Sequence, residues 1–280
     1  MKPSIPKTEL QPSTQLRKVV FGGSRAMKKL ALVVGSVCLA FPFCSSGATI
    51  WSEPFTYADG SLTNVSGGLW TTHSGTATPI LVSGNQVTGM SAGATSREDS
   101  NRLLDATYST GVLFAGFDLT LSSTPVGSAY FAHFKDSTTS GFRGRVFLGA
   151  PTSAGFRIGL ENDAGDNGAT VAFTSDLTLG ATYRVVLGYD TAARTSRLWV
   201  NNSVEGTPTL ADATAPTFLA ITSFALRQGA STPAAYTGLD LDNLNVATDF
   251  TSAYTVPEPS TIVLTVLGGL LGLLALRRKR

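Results

Sequence analysis

The chain has 280 residues, of which 42% are hydrophobic and only 14% charged, and its formal net charge is +2. That charge is unevenly placed. Seven of the 21 Lys and Arg lie in residues 1–48 and four close the chain, so residues 49–276 hold ten cations against eighteen carboxylates, about −8. A nucleic-acid partner, which asks for a basic face, loses its support. Both cysteines, Cys38 and Cys44, sit in the leader, which removes disulfides, cysteine metal sites and a cysteine nucleophile from the body.

Residues 1–26 are polar, basic and Pro-containing, and read as an over-extended, disordered start, with Met27 as the expected initiator. Met27-Lys28-Lys29 then supplies a charged region, Leu30 to Phe43 an apolar stretch and Ser46-Gly47-Ala48 a small-residue cleavage site. Together they predict a signal peptide over 27–48, helical in its apolar part.

From Thr49 to Phe250 the pattern is that of strands. In Gly111–Ser123 the residues Leu113, Ala115, Phe117, Leu119 and Leu121 take every second position, with Asp118 and Thr120 on the other face. That alternation predicts a half-buried antiparallel strand. Tyr130–Phe134, Arg143–Leu148, Phe156–Glu161, Tyr183–Tyr189 and Arg197–Asn201 alternate in the same way. Turn chemistry separates them at Ser83-Gly84-Asn85, Ser140-Gly141, Ala164 to Gly168, Asp190-Thr191 and Asn201-Asn202. No sustained helical stripe interrupts the series, so the fold class is all-β, a sandwich or barrel over 49–250.

Three stretches carry a resemblance. Tyr183-Arg-Val-Val-Leu-Gly-Tyr189-Asp190, Arg197-Leu-Trp199-Val-Asn201 and Leu239-Asp-Leu-Asp242-Asn243-Leu-Asn-Val246 resemble the concanavalin A-like, laminin-G-like jelly roll. Trp51, Phe55 and Gly68-Leu69-Trp70, followed by Leu81 to Val87, are similar to that family's first strands. The resemblance implies a jelly-roll β-sandwich and leaves activity open.

Glycosidases occur on that fold, and their chemistry needs paired carboxylates. Glu161-Asn162-Asp163-Ala164-Gly165-Asp166 is the nearest match to the two-carboxylate run of laminarinase-like members, but it ends in Asp and reads as a turn. Catalysis is therefore not expected. Asp163, Asp166 and Asn167 in that loop could instead ligate Ca²⁺ through oxygen, against a plain Asx-rich turn; no other cofactor is expected. Asp240 and Asp242 read as outward polar positions, with Asp242-Asn243 marking a bulge where the apolar spacing slips from Leu241 to Leu244. His133 alternates with Phe131 and Lys135 opposite Tyr130 and Phe134, a surface strand position, and His73 falls in a Thr/Ser/Gly loop. Two histidines without a further ligand motif make a poor zinc site. Trp199, between Arg197 and Asn201, would stack on a sugar if its face were open, with Leu198 and Val200 inward; the alternative buries Trp199 in the core.

After Phe250 the sequence becomes a short polar tether, 251–259, that ends in the triplet Pro257-Glu258-Pro259. An uncharged run, 260–276, follows, and at roughly 1.5 Å per residue it makes about 25 Å of helix, enough for a short transmembrane span. Arg277, Arg278, Lys279 and Arg280 then hold the end in the cytoplasm. The order of triplet, span and basic end resembles the PEP-CTERM sorting signal. The resemblance implies an exosortase-like membrane enzyme as processing partner, acting near the triplet. The resulting expectation is an exported bacterial surface or matrix protein, anchored by one pass in the cell envelope and released there if the tail is processed. Its body would be structural or adhesive, with a glycan-binding lectin-like module as the alternative and extracellular polysaccharide as the partner in that case.

Overall fold

The computed structural model describes residues 47–93, 97–162, 171–229 and 234–256. The expected signal peptide up to Ser46, the loop residues Asp163, Asp166 and Asn167, and everything from Pro257 onward lie outside these residues. Among the described residues no helix is long and apolar enough to cross a membrane.

In chain order come β1 (Thr49–Glu53), β2 (Gly60–Ser61), α1 (Leu62–Val65), β3 (Trp70–Ser74), β4 (Leu81–Ser83), β5 (Gln86–Ala92), β6 (Asp99–Tyr108) and β7 (Val112–Leu121). There follow β8 (Ala129–Lys135), β9 (Phe142–Gly149), β10 (Arg157–Glu161), β11 (Ala172–Phe173), β12 (Thr182–Asp190) and β13 (Thr195–Val200). The body closes with β14 (Leu210–Asp212), β15 (Ile221–Leu226), β16 (Tyr236–Ala247) and α2 (Phe250–Tyr254). The strands form two antiparallel sheets. One is nine-stranded, in the order β14-β13-β12-β7-β16-β5-β4-β2, with β1 also on β16; the other is seven-stranded, β11-β10-β9-β8-β15-β6-β3. The chain crosses between sheets after β2, β3, β5, β6, β7, β11, β14 and β15, as in a jelly-roll sandwich.

Alternation in the sequence explains the packing. Leu113, Ala115, Phe117, Leu119 and Leu121 of β7 all face the inter-sheet core and are at most 1% exposed. Phe117 meets Phe131 of the opposite sheet edge-on, ring centroids 5.9 Å apart. Ser83 pairs with Gln86, leaving Gly84 and Asn85 as a two-residue loop with φ of 62° and 63°. Positive φ at both positions gives the turn whose twist matches a hairpin, which is why Gly-Asn stands there. The expected bulge is present as well. Asp242 pairs with Asp118 and Asn245 with Gly116, so β16 carries one extra residue, and Asn243 takes φ 50°.

The first and last strands pair, Thr49 with Ala247, and Ala48 and Thr248 exchange hydrogen bonds of 3.0 Å. The expected domain start at Thr49 therefore coincides with a paired edge. At the other end the expected tether begins too early. Phe250–Tyr254 is a helix, capped by Asp249 Oδ1, which accepts from the Ser252 amide at 2.9 Å. It lies on the outer face of the nine-stranded sheet, where Phe250, Ala253, Phe114, Val186, Trp199 and Ala247 form a second apolar cluster. Gly116 permits that approach, since a Cβ there would lie 2.0 Å from the Ala253 carbonyl oxygen. Asn245 Nδ2 donates to the Thr255 carbonyl at 2.8 Å, so the body is tied down to within two residues of Pro257.

Candidate functional site

Trp199 does not offer its ring to a ligand. It is 1% exposed, sits 4.9 Å from the Phe250 ring and 6.1 Å from Phe114, and its Nε1 donates to the Glu205 carbonyl at 3.1 Å. Leu198 and Val200 do face the main core, as expected of the alternating partners. Arg197 is exposed, but the dent it shares with Trp199 holds about 40 Å³, near the room of a single water. Asn201, at φ 50°, ends β13 by accepting from the Arg184 amide with its side chain at 2.7 Å. Of the two readings of Trp199 the burial holds, and the glycan contact at Arg197, Trp199 and Asn201, which was conditional on an open face, lacks that face: Trp199 is covered by α2 and Asn201 closes a turn.

The opposite sheet presents a different surface. Register places Leu103, Ser223, Lys135 and Phe142 in one row across β6, β15, β8 and β9. A second row runs Thr71, Asn101, Ala225 and His133 across β3, β6, β15 and β8. Both rows stand on the outer face. β8 reaches this arrangement through register shifts between Tyr130 and Ala132 and between Ala132 and Phe134. Phe131, Ala132 and Phe134 thereby enter the core, while Tyr130, His133 and Lys135 turn outward together. The expected alternation of His133 with Phe131 is broken by that irregularity. Nor is His133 a surface residue: it has no exposure and packs 4.4 Å from the Phe142 ring and 6.3 Å from His73.

A cleft of about 540 Å³ opens over these rows, lined by His73, Asn101, Lys135, Thr138, Thr222 and Ser223 among others. Three polar atoms in it are buried without a hydrogen-bond partner: His73 Nδ1, Thr222 Oγ1 and Ser223 Oγ. Behind the cleft both ring nitrogens of His133 are likewise without a partner. Burial holds the His73 pKa down at about 4, aided by Lys135 and Arg227, and keeps His133 well below the usual histidine value. Both rings are neutral at pH 7. Burial also lowers Lys135, against the opposing pull of Asp136.

Flanking the cleft are paired charges and stacked rings. Arg145 lies 2.9 Å from Glu161 and 5.2 Å from the Tyr130 ring centre. Arg227 stands 4.1 Å from the same Tyr130 ring centre and 3.7 Å from Asp99. Glu161, the candidate acid of the motif weighed above, therefore closes β10 as an ion-pair partner, and Asn162 beside it is structural: its Nδ2 donates to the Thr214 carbonyl at 2.7 Å and its Oδ1 accepts from Ser196 Oγ at 2.8 Å. Asp163, Asp166 and Asn167 lie outside the described residues. Among the described residues no three His, Cys, Asp or Glu side chains gather as a metal cluster. Sequence reasoning passed over Lys135, Asn101, Thr222 and Ser223. One signal was available, because Lys135 is the sole lysine in 49–276.

Comparison with known proteins supplies the targeting half of the picture. Residues 255–280 match the PEP-CTERM protein-sorting motif. The match spans the triplet Pro257-Glu258-Pro259, the apolar run and the four terminal cations, so the chain carries a PEP-CTERM sorting signal behind its jelly-roll body. No curated protein matches the chain. Similar solved structures include a sialidase at 15% identity and TM-score 0.46, over 68% of this chain but 18% of that one. A mutant alginate lyase Aly36B in complex with alginate tetrasaccharide is similar at 15% identity and TM-score 0.47, over 71% and 97% of the two chains. The potassium-bound carbohydrate recognition domain of Emp46p matches at 11% identity and TM-score 0.44, over 72% and 98%. At such identities these likenesses assign no activity to this chain.

Proposed function

We propose that this is an adhesive protein of the bacterial surface or extracellular matrix, whose body binds polysaccharide without transforming it. Its PEP-CTERM tail anchors it in the envelope and presents the triplet to an exosortase-like membrane enzyme. One observation carries the binding role: the cleft on the seven-stranded sheet gathers three buried, unpartnered polar atoms beside a lysine. A buried polar group left unpaired costs about 1–3 kcal/mol, and the hydroxyls of a sugar, each both donor and acceptor, suit a cleft lined by hydroxyl, amide and imidazole groups of this kind. The carboxylates that share the face, Asp99 and Glu161, are ion-paired, which suits them to bracing the sheet rather than to proton transfer.

The reading is tested by affinity electrophoresis of the full-length, detergent-solubilised protein against a panel of bacterial polysaccharides. Binding should fall about tenfold in Asn101→Ala and Thr222→Val, while the polysaccharide keeps its chain length. Depolymerisation of any member would overturn the non-catalytic part. For the tail, Pro257→Ala with Pro259→Ala should leave membrane insertion intact and block the mass shift of processing in the native host. Normal maturation of that variant would sink the processing role.

A further inference from the structure

We infer that the polysaccharide held by this cleft is acidic, its carboxylate or sulfate groups meeting the Lys135 ammonium. The inference rests on the polysaccharide-binding reading and specifies the class of ligand. It begins with the charge census of the face. Arg145 is matched by Glu161 at 2.9 Å and Arg227 by Asp99 at 3.7 Å. Arg143 is taken up by the carbonyls of Phe142 and Thr217, and Arg157 by the Ala150 carbonyl and the Phe173 ring. Among the described residues Lys135 forms no ion pair; its Nζ donates to a single acceptor, the Asp136 main-chain oxygen at 2.9 Å. The Asp136 carboxylate is engaged elsewhere, accepting from the Thr138 amide at 2.8 Å and hydroxyl at 2.7 Å.

An ammonium has three donors, so two of those on Lys135, a residue of the cleft lining, find no acceptor among the described residues. The side chain is only 4% exposed, which means that water meets little of that need. Burying an unpaired cation is costly unless an opposite charge arrives. Nothing in the cleft supplies one. Its lining contains this lysine and no carboxylate, although the surrounding 49–276 body carries an excess of about eight negative charges. The remaining lining is hydroxyl, amide and imidazole, the groups that read sugar hydroxyls, with Leu103 exposed at the rim. A neutral glycan would satisfy that polar lining yet leave the ammonium stripped of water, with only the pull of the Asp136 carboxylate, itself held by Thr138, to offset its charge. An acidic one satisfies both. The lowered affinity of Lys135 for its proton, caused by burial, agrees with a site that lacks its anion.

The uniqueness of the residue makes the test clean. Full-length protein in detergent would be titrated with a polyuronate, the same polymer after carboxyl reduction, dextran sulfate and neutral dextran. Expected are binding to the polyuronate or the dextran sulfate, the arm that binds naming the acidic group, and little binding to the reduced polymer and dextran. Affinity should fall about tenfold or more in Lys135→Met, since a charge-assisted hydrogen bond is lost, and substantially less in Lys135→Arg. Thermal melting of the variants alongside shows that they are folded. Equal binding to acidic and neutral polymers, or undiminished binding by a folded Lys135→Met protein, would overturn the acidic class while leaving polysaccharide binding in place. No binding to any polymer, here and across the wider panel, would remove both readings.

Discussion

The Arg184 guanidinium on β12 reaches across the outer face of the nine-stranded sheet to the carbonyl of Ala253, with Nη2 donating at 2.6 Å. Nε donates to the Tyr254 carbonyl at 2.9 Å, and Nη1 serves the Asn243 carbonyl at 2.8 Å and Asp118 at 3.3 Å. One side chain thus satisfies the C-terminal carbonyls of α2, the bulge of β16 and a carboxylate of β7. The end of the folded body is held through it, immediately ahead of the sorting signal.

Arg184→Ala should therefore free α2 without dissolving the sandwich. Removing the hub leaves three carbonyls and a carboxylate short of partners, a loss of about 3 kcal/mol. Limited proteolysis should show new cleavage at Phe250–Tyr254, ahead of the triplet, with far-UV circular dichroism still that of a β protein. Protection equal to wild type would refute the role given to Arg184.

Trp199→Ala should separate stability from binding. Truncating a buried tryptophan costs about 3–5 kcal/mol, here by opening the pocket that holds Phe250 and Phe114. Polysaccharide binding by the fraction that remains folded should match wild type, because the cleft lies on the other sheet. A selective loss of binding with unchanged melting would restore Trp199 as a ligand contact.

Acid should weaken the fold through its two histidines. His73 and His133 face Lys135 and Arg227, with Arg145 also near His133, and burial is the main cause of their lowered pKa values. The unfolded chain takes up these protons near pH 6.5, whereas folded His73 does so only at about 4 and folded His133 well below the usual histidine value. Stability is thus complete above about pH 6.5 and falls as pH drops toward 4, by at most about 1.4 kcal/mol per pH unit for each histidine. Asp99, raised above its usual value by burial, acts with the opposite sign and returns some stability at the acid end. Urea midpoints between pH 7.5 and 4.5 should show the slope, and His73→Gln with His133→Leu should flatten it. An unchanged slope in that double variant would rule the histidines out.

Much of the molecule was legible without coordinates, wherever the cause is local. The two-period apolar pattern of β7, the Gly84-Asn85 turn and the slip at Asp242-Asn243 each follow from neighbouring residues along one strand. The sorting signal is legible for a related reason, since it is a linear order of triplet, apolar run and cations. Tertiary structure decided what depends on partners distant in the chain. Whether the outward face bearing Trp199 meets water or protein was settled by α2, a five-residue helix too short to announce itself by periodicity. The register shifts of β8, which bring Tyr130 to the side of His133 and Lys135 and send Phe131 into the core, arise from pairing with β9 and leave no mark in β8 itself. The cleft exists only because β3, β6, β8 and β15 lie side by side, so that His73, Asn101, Lys135 and Ser223 converge from four separate stretches of chain. Sequence sets which face of each strand is apolar; strand order and register, which depend on long-range packing, set which polar residues share the other face.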